Sequence, residues 1–148
     1  MSRIVLLDTG PLGQVTHPKS TPANTACLHW FQNLLAQGNR VLIPEIADYE
    51  LRRELLRAHK TQGLLRLDNL PNVAEYLSLT KEAMRQAAAF WAIARQKGYP
   101  TASDESLDAD VILAAQADTL NLPNVVVATT NVRHLSRFVA ADLWQNIV

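Results

Sequence analysis

The residues most able to do chemistry in this chain are polar side chains at the ends of apolar runs. Asp8 ends the apolar run 4–7, and Asn131 closely follows a second apolar run at 125–128. Open parallel α/β sheets bind ligands at the carboxyl ends of their strands, where such side chains lie. Two strand ends of this kind in one small domain predict a shared polar site.

Two further carboxylates extend this set. Glu50 lies on the helix predicted after the second strand, and Asp110 begins an apolar helical run. Ala114 and Ala117 share the side of Asp110 at helical spacing, so that helix can approach the sheet and direct the carboxylate along it. Glu54, one turn after Glu50 on the same charged stripe, is an alternative ligand.

Three carboxylates in one place predict a site for a hard divalent cation. Such cations prefer oxygen ligands, and Mg²⁺ binds through a few carboxylates while it keeps several waters. Carboxylates that meet within a few ångströms raise one another's pKa values unless a cation enters. The four histidines are scattered along the chain and there is no Cys/His cluster, which argues against zinc.

Each of these residues also has a simpler structural interpretation. Asp8, with a glycine two residues later, is common turn chemistry. Asp108 and Asp110 fall in the predicted first turn of a helix, where the macrodipole favours carboxylates. Asn131 could cap the short helix that follows it. Asp108 and Asp104 are candidates for auxiliary acids.

Apolar runs alternate with helical patterns along the chain, which predicts βαβ units and a parallel sheet. Strands are predicted at 4–7, 41–43, 75–79, 125–128 and 143–148. Helices are predicted at 22–37, at 45–60, between Gly63 and Pro71, at 80–97, from 103–106 to 120 and at 132–138. The segment 10–22 is predicted to be a long, polar, mobile loop near the site.

Length and composition predict one compact domain, 1–148. The chain has 148 residues, of which 48% are hydrophobic, so it can build a substantial core. A formal net charge of zero gives no global attraction to a polyanion or a membrane, so a polyanion would need a local basic patch or a bound metal. A single cysteine, Cys27, excludes an intrachain disulfide. With no signal peptide and no membrane-length apolar run, we predict a cytoplasmic protein that does not contact membranes.

Four short segments carry a family resemblance. They are, in chain order, Leu7–Leu12, Tyr49–Leu51, Asp110–Ala117 and Ala128–His134. Together they resemble the motifs of PIN-domain nucleases, and most of all the VapC-type toxins of toxin–antitoxin pairs, over almost the whole chain. The resemblance implies an α/β fold of three layers, α/β/α, with a five-stranded, mainly parallel sheet. It also implies an acidic pocket that holds Mg²⁺ or Mn²⁺ and cuts RNA.

The implied reaction is metal-assisted phosphodiester hydrolysis that leaves 5′-phosphate and 3′-hydroxyl ends. One ion, or two about 3.5–4 Å apart, would activate water and stabilise charge during in-line displacement. The predicted catalytic residues are Asp8, Glu50, Asp110 and Asn131, of which the three acids are the predicted metal ligands. Asn131 stands where the family often has Asp. Thr9 or Thr130 could bond a phosphate or a water.

RNA and protein partners are predicted from the same resemblance. Arg53 and Arg133 are the predicted RNA-binding residues, although helix-surface arginines more often face solvent. A homodimer and a small antitoxin partner are implied, and the helices after the second strand would carry one of these contacts, through Leu51, Leu55, Leu56 and 64–65. The alternative function is a catalytically weak or inactive PIN-like module that binds RNA or protein, which would be indifferent to a chelator.

Overall fold

The computed structural model of the chain describes residues 2–98 and 104–148, and the side chains of these except at 104 and 105. Its strands are β1 (Ile4–Leu7), β2 (Arg40–Pro44), β3 (Glu75–Leu77), β4 (Val125–Thr129) and β5 (Ala141–Leu143). Its α-helices are α1 (Thr9–Thr16), α2 (Pro22–Ala36), α3 (Glu45–Arg57), α4 (Thr61–Asn69), α5 (Lys81–Lys97), α6 (Asp104–Asp118) and α7 (Val132–Leu135). Short 3-10 turns span Leu70–Asn72 and Trp144–Asn146.

The five strands form one parallel sheet in the order β3-β2-β1-β4-β5. The central strand β1 is buried at all four positions, which explains its uninterrupted apolar sequence. Leu6 pairs with Leu42 on one side and with Val127 on the other. The chain therefore leaves β1 towards one edge of the sheet and returns later to the other side. This is a topological switch point, where parallel α/β sheets open a crevice for ligands.

Helices cover both faces of the sheet, because successive side chains of β1 point alternately to its two faces and all of them are apolar. Val5 and Leu7 belong to a core cluster with residues of α1, α2 and α4, whereas Ile4 and Leu6 belong to a cluster with residues of α6 and α7. Fully buried Ala114 lets α6 approach the sheet closely. The predicted three-layer α/β/α fold with a five-stranded parallel sheet is thus confirmed. Within the described residues, no helix is both long and apolar enough to span a bilayer.

The predicted mobile loop at 10–22 is wrong in its first half, because the chain forms α1 there. Two glycines and a proline in the sequence hide this helix. Pro11 is tolerated because it lies in the first helical turn, where its missing N–H has no intrahelical partner. Gly10 allows close packing, because a Cβ added there would lie 3.0 Å from Cγ2 of Thr130, whereas a Cβ at Gly13 would be in ordinary contact with Leu51 at 3.6 Å.

Several predicted boundaries also move. The last strand is β5 at 141–143 and not 143–148, because the chain turns at Trp144 to bury that side chain. Helix α3 stops at Arg57 and not at 60, since His59 takes a positive φ of 55°. Strand β3 ends at Leu77, and α7 ends at Leu135. The first position of the predicted helix start at 103–106 lies outside the described residues.

Replacing Trp30 by Phe should destabilise the fold, because Trp30 ties the chain end to α2. Its Nε1 donates a buried 2.7 Å hydrogen bond to the carbonyl of Ile147, and its ring packs 5.6 Å from that of Trp144. Phe keeps most of the packing but leaves the carbonyl without its donor. We expect a loss of about 1–3 kcal/mol in the free energy of unfolding, measured by urea titration. Trp91→Phe, at an exposed site, is the control, and equal losses in both variants would contradict this account.

Candidate metal and phosphate site

Because β1 pairs with β4, Asp8 is held at the carboxyl end of these two central strands. The Asp8 N–H donates to the carbonyl of Ala128 at 2.9 Å, which extends the parallel ladder by one residue. The Asp8 carboxylate accepts a 2.7 Å bond from the Thr9 N–H, at the start of α1, and a 2.7 Å bond from the Thr129 hydroxyl. Asp8 is therefore a helix cap and a strand-end carboxylate at once.

Helix α3 brings Glu50 to the same place. Oε1 of Glu50 accepts a 2.9 Å hydrogen bond from the hydroxyl of Thr9, and its side chain is only 23% exposed. The alternative acid Glu54 is 58% exposed and forms a 2.8 Å ion pair with Arg57. The structure thus places Glu50, and not Glu54, beside Asp8.

Asp110 approaches from α6, on the other side of the sheet from α1. One of its oxygens lies 3.5 Å from Nδ1 of His134, and the same nitrogen lies 3.0 Å from the amide Nδ2 of Asn131. Asn131 occupies the N-cap position of α7, but its side chain makes no capping bond to the helix backbone. Its amide is used instead for this contact with His134.

Asp108 does not join this cluster. It lies two residues before Asp110, so the two side chains project from α6 about 200° apart. Asp108 lines an apolar groove with Met84 and Trp91, between α5 and α6. Because α6 begins at Asp104, both acids lie in its second turn and not in the predicted first turn, beyond most of the macrodipole effect. The side chain of Asp104 lies outside the described residues.

The pKa of Asp110 shows that the three carboxylates influence one another. Burial raises this pKa from 3.8 to about 6, the negative charges of Asp8 and Glu50 add to the increase, and Arg137 opposes it. The charge of Asp8 also acts on Glu50, so each of the three acids is within electrostatic reach of the other two. The structure thus brings these acids near one another, the first directly after β1 and the other two from α3 and α6.

Threonine hydroxyls stabilise the charged form of two of these acids. Burial is the main cause that raises the pKa values of Asp8 and Glu50. Hydrogen bonds from Thr129 and from the backbone of Thr9 oppose the increase at Asp8. At Glu50 the Thr9 hydroxyl and the charge of Arg53 oppose it, while the charge of Asp8 adds to it.

The side chains that meet here suit a hydrated divalent cation. Across residues 2–98 and 104–148, no group of three or more His, Cys, Asp or Glu side chains is arranged to hold one metal ion. Mg²⁺ does not require such a cage, because it commonly binds through one or two carboxylates and keeps its other ligands as water. The site offers carboxylate, amide and hydroxyl oxygens. Burial, with a smaller contribution from neighbouring negative charge, raises the pKa of Asp110, and a bound cation would favour its ionised form.

The other predicted residues lie around this cluster in different ways. Arg53 Nη2 is 3.8 Å from Oε2 of Glu50, whereas Arg133 is exposed on α7. Thr130 is exposed and packs against Gly10, so Thr9 is the predicted threonine that contacts an acid directly.

Sequence reasoning missed two contributors. Thr129 is fully buried, and its hydroxyl both donates to Asp8 and accepts a 2.9 Å bond from the Asn131 N–H. The available signal was a threonine that ends an otherwise apolar strand. His134 ends the segment Ala128–His134 that carries the family resemblance, but no sequence signal links it to Asp110, because the two residues meet only through the tertiary fold.

Solved structures share this fold. They include VapBC2 from Rickettsia felis bound to a DNA fragment from their promoter, with a TM-score of 0.72 and 19% identity over 95% of this chain and 98% of that one. FitAcB from Neisseria gonorrhoeae matches with a TM-score of 0.71 and 19% identity, over 96% of this chain and 99% of that one. VapBC-1 from nontypeable Haemophilus influenzae matches with a TM-score of 0.70 and 17% identity, over 97% of this chain and 99% of that one. No protein-family model and no curated protein sequence matches the chain. At such low identity these likenesses establish the fold alone.

Replacing Asp110 by Asn should stabilise the folded protein at neutral pH. Because folding raises the pKa of Asp110 to about 6, ionising this carboxyl above that pH costs folding free energy. The cost disappears as the pH falls through 6 towards 4, where the folded form holds the proton. Asp110→Asn should therefore raise Tm at about pH 7.5 and much less at about pH 4. The gain should be about 1–3 kcal/mol, at about 1.4 kcal/mol for each tenfold change in proton affinity.

Asp108→Asn is the matched control for this experiment, because it removes one exposed negative charge from the same helix. Thermal unfolding of both variants at the two pH values provides the comparison. A gain for Asp110→Asn that is the same at both pH values would contradict the raised pKa of Asp110.

Proposed function

We propose that this protein is a metal-dependent endoribonuclease that hydrolyses phosphodiester bonds in RNA, and that it is the toxin of a toxin–antitoxin pair. The observation that carries the proposal is the group of three mutually interacting carboxylates, Asp8, Glu50 and Asp110, where β1 and β4 end. Burying these carboxylates beside one another costs folding free energy, as the raised pKa of Asp110 indicates. A bound cation would offset that cost, because it favours the ionised carboxylates.

In this proposal Asp8, Glu50 and Asp110 would hold hydrated Mg²⁺ or Mn²⁺, one or two of them directly and the rest through water bound to the ion. When bound, such an ion activates a water molecule and stabilises the charge that develops on the phosphoryl oxygens. Thr129 keeps the Asp8 carboxylate oriented through its 2.7 Å hydrogen bond, and Thr9 does the same for Glu50 at 2.9 Å. Orientation matters because hydrolysis at phosphorus depends on the placement of the reacting groups.

Residues around the acids would position the RNA backbone. Arg53 lies beside Glu50, and Arg137 acts electrostatically on Asp110, so positive charge flanks the cluster on two sides. Arg133 is exposed on α7, near Asn131. Phosphate contacts from arginines position a nucleic acid without reading its sequence. The Asn131 side chain, which adds no charge, would bond water or a phosphate oxygen.

A small antitoxin, a second copy of the chain and a cytoplasmic location complete the proposal. The structures that share the fold are of VapBC and FitAcB proteins, and their matched chains are covered almost completely. Leu56 on α3 and Leu65 on α4 each leave half or more of their surface exposed, as expected of residues that contact a partner. Leu51 and Leu55 pack partly against the core and are less available.

A non-enzymatic module that binds RNA or protein is the second candidate. It is favoured by Asn131, which supplies an amide where a fourth acid would add charge, and by the lack of a three-ligand metal group within the described residues. The two candidates differ in their response to chelation. A nuclease stops cleaving when EDTA is added and recovers with Mn²⁺, whereas a binding module shows no cleavage in either condition and keeps its affinity in EDTA.

Asp8→Asn should reduce Mn²⁺-dependent cleavage of single-stranded RNA by about 100-fold or more, because it removes charge from the proposed ion site. The fold should persist, since Oδ1 of Asn can still accept the Thr9 N–H bond and its Nδ2 can donate to the Thr129 hydroxyl oxygen. Cleavage is followed on a labelled oligonucleotide, and the fold by circular dichroism.

Glu54→Gln is the matched control, because Glu54 lies one turn beyond Glu50 and is exposed. It should retain full activity. Full activity in a folded Asp8→Asn protein, or equal losses in both variants, would refute the proposed site.

A further inference from the structure

An exposed aromatic side chain stands beside the carboxylate cluster. Tyr49 directly precedes Glu50 on α3 and is 57% exposed. The guanidinium carbon of Arg53, one helical turn later, lies 5.1 Å from the centre of the tyrosine ring. Arg53 Nη2 in turn lies 3.8 Å from Oε2 of Glu50. We call this pair the Tyr49–Arg53 platform; it is continuous with the acidic site.

The platform has the properties of a surface that stacks a planar ligand. Its two side chains already contact each other through a cation–π interaction, so part of their freedom is restricted before a ligand binds. Both tyrosine rings and guanidinium planes stack on unpaired nucleobases. Such stacking tolerates any base sequence, because every base has a π face.

We propose that the Tyr49–Arg53 platform binds a nucleobase of single-stranded RNA next to the phosphate that is cleaved. The inference rests on the proposed function and adds a base-binding subsite to it. Carboxylates repel phosphates, so a substrate that approaches Asp8, Glu50 and Asp110 gains from contacts that do not depend on backbone charge. Stacking is such a contact, and Arg53 also offsets the charge of Glu50.

Charge also favours RNA over a second copy of the chain at this surface. A protein partner that covered the platform would remove Arg53 and Glu50 from water, and a buried ion pair with 3.8 Å separation recovers that cost poorly. A nucleobase covers the ring and leaves the charged groups near solvent and phosphate.

The chain contains a matched control for the platform. Trp91 and Arg95 form a second aromatic–arginine pair at the same four-residue spacing, with 5.4 Å from the guanidinium carbon to the ring centre. Trp91 is 38% exposed but lies on α5, at the apolar groove between α5 and α6. Replacing Trp91 tests whether any exposed aromatic–arginine pair contributes to RNA binding.

The experiment measures binding of a fluorescent single-stranded RNA by anisotropy, with Ca²⁺ in place of Mg²⁺ to suppress cleavage. Tyr49→Ala should weaken binding by roughly 5- to 100-fold, the range expected for loss of one stacked base. Tyr49→Phe should keep most of the affinity because it keeps the ring, and Trp91→Ala should bind as the unchanged protein does.

A second arm changes the RNA and leaves the protein intact, so it does not depend on how a variant folds. Bases of the RNA are removed one at a time to leave abasic positions. At one of these positions the unchanged protein should lose as much RNA affinity as Tyr49→Ala does. At that position Tyr49→Ala should cause little further loss. A double-mutant cycle of this kind isolates the contact between the ring and the base.

Equal RNA affinity of the unchanged protein and Tyr49→Ala would overturn the inference alone. So would a change confined to oligomeric mass in sedimentation equilibrium, which would assign the platform to a second copy of the chain. Failure of the unchanged protein to bind RNA with any divalent cation would overturn the proposed function, and this inference with it.

Discussion

The burial of three neighbouring carboxylates, Asp8, Glu50 and Asp110, is the constraint that the rest of this structure must accommodate. Burial and like charge both act against their ionised forms, and the raised pKa of Asp110 records the result. The fold keeps the three acids together because each belongs to a different rigid element, β1, α3 or α6, anchored by apolar contacts on both sides of the sheet. The hydroxyls of Thr9 and Thr129 then donate hydrogen bonds to Glu50 and Asp8, respectively.

Much of this arrangement can be predicted from the sequence, and the failures have physical causes. Uninterrupted apolar runs identify the buried strands, since parallel strands between two layers of helices have no solvent face. Helix α1 is missed because Gly10, placed for close contact with Thr130, and Gly13 resemble the residues of a loop. The last strand is misplaced because Trp144 is as apolar as a strand residue but is buried by a turn.

The site illustrates a different limit. Spacing along α3 cannot distinguish Glu50 from Glu54, because both lie on one stripe, and only the Thr9 hydroxyl on α1 separates them. Thr129 likewise acts through a hydrogen bond to a residue 121 positions away. Helical periodicity does predict that Asp108 and Asp110 diverge, once the element that carries them is known. Local pattern thus identifies candidate acids, and tertiary contacts decide which of them meet.

The sheet order has a consequence for how the protein is made. The strand at the centre of the sheet is the first of the five along the chain and its neighbour β4 is the fourth, so the bond between Asp8 and Thr129 joins residues 121 positions apart. A nascent chain that lacks β4 has an unpaired edge on β1 and lacks the hydroxyl that orients Asp8. At about 5–20 residues per second, synthesis of β4 follows that of β1 by several seconds or more. Premature termination before β4 therefore leaves the central strand without one of its two neighbours.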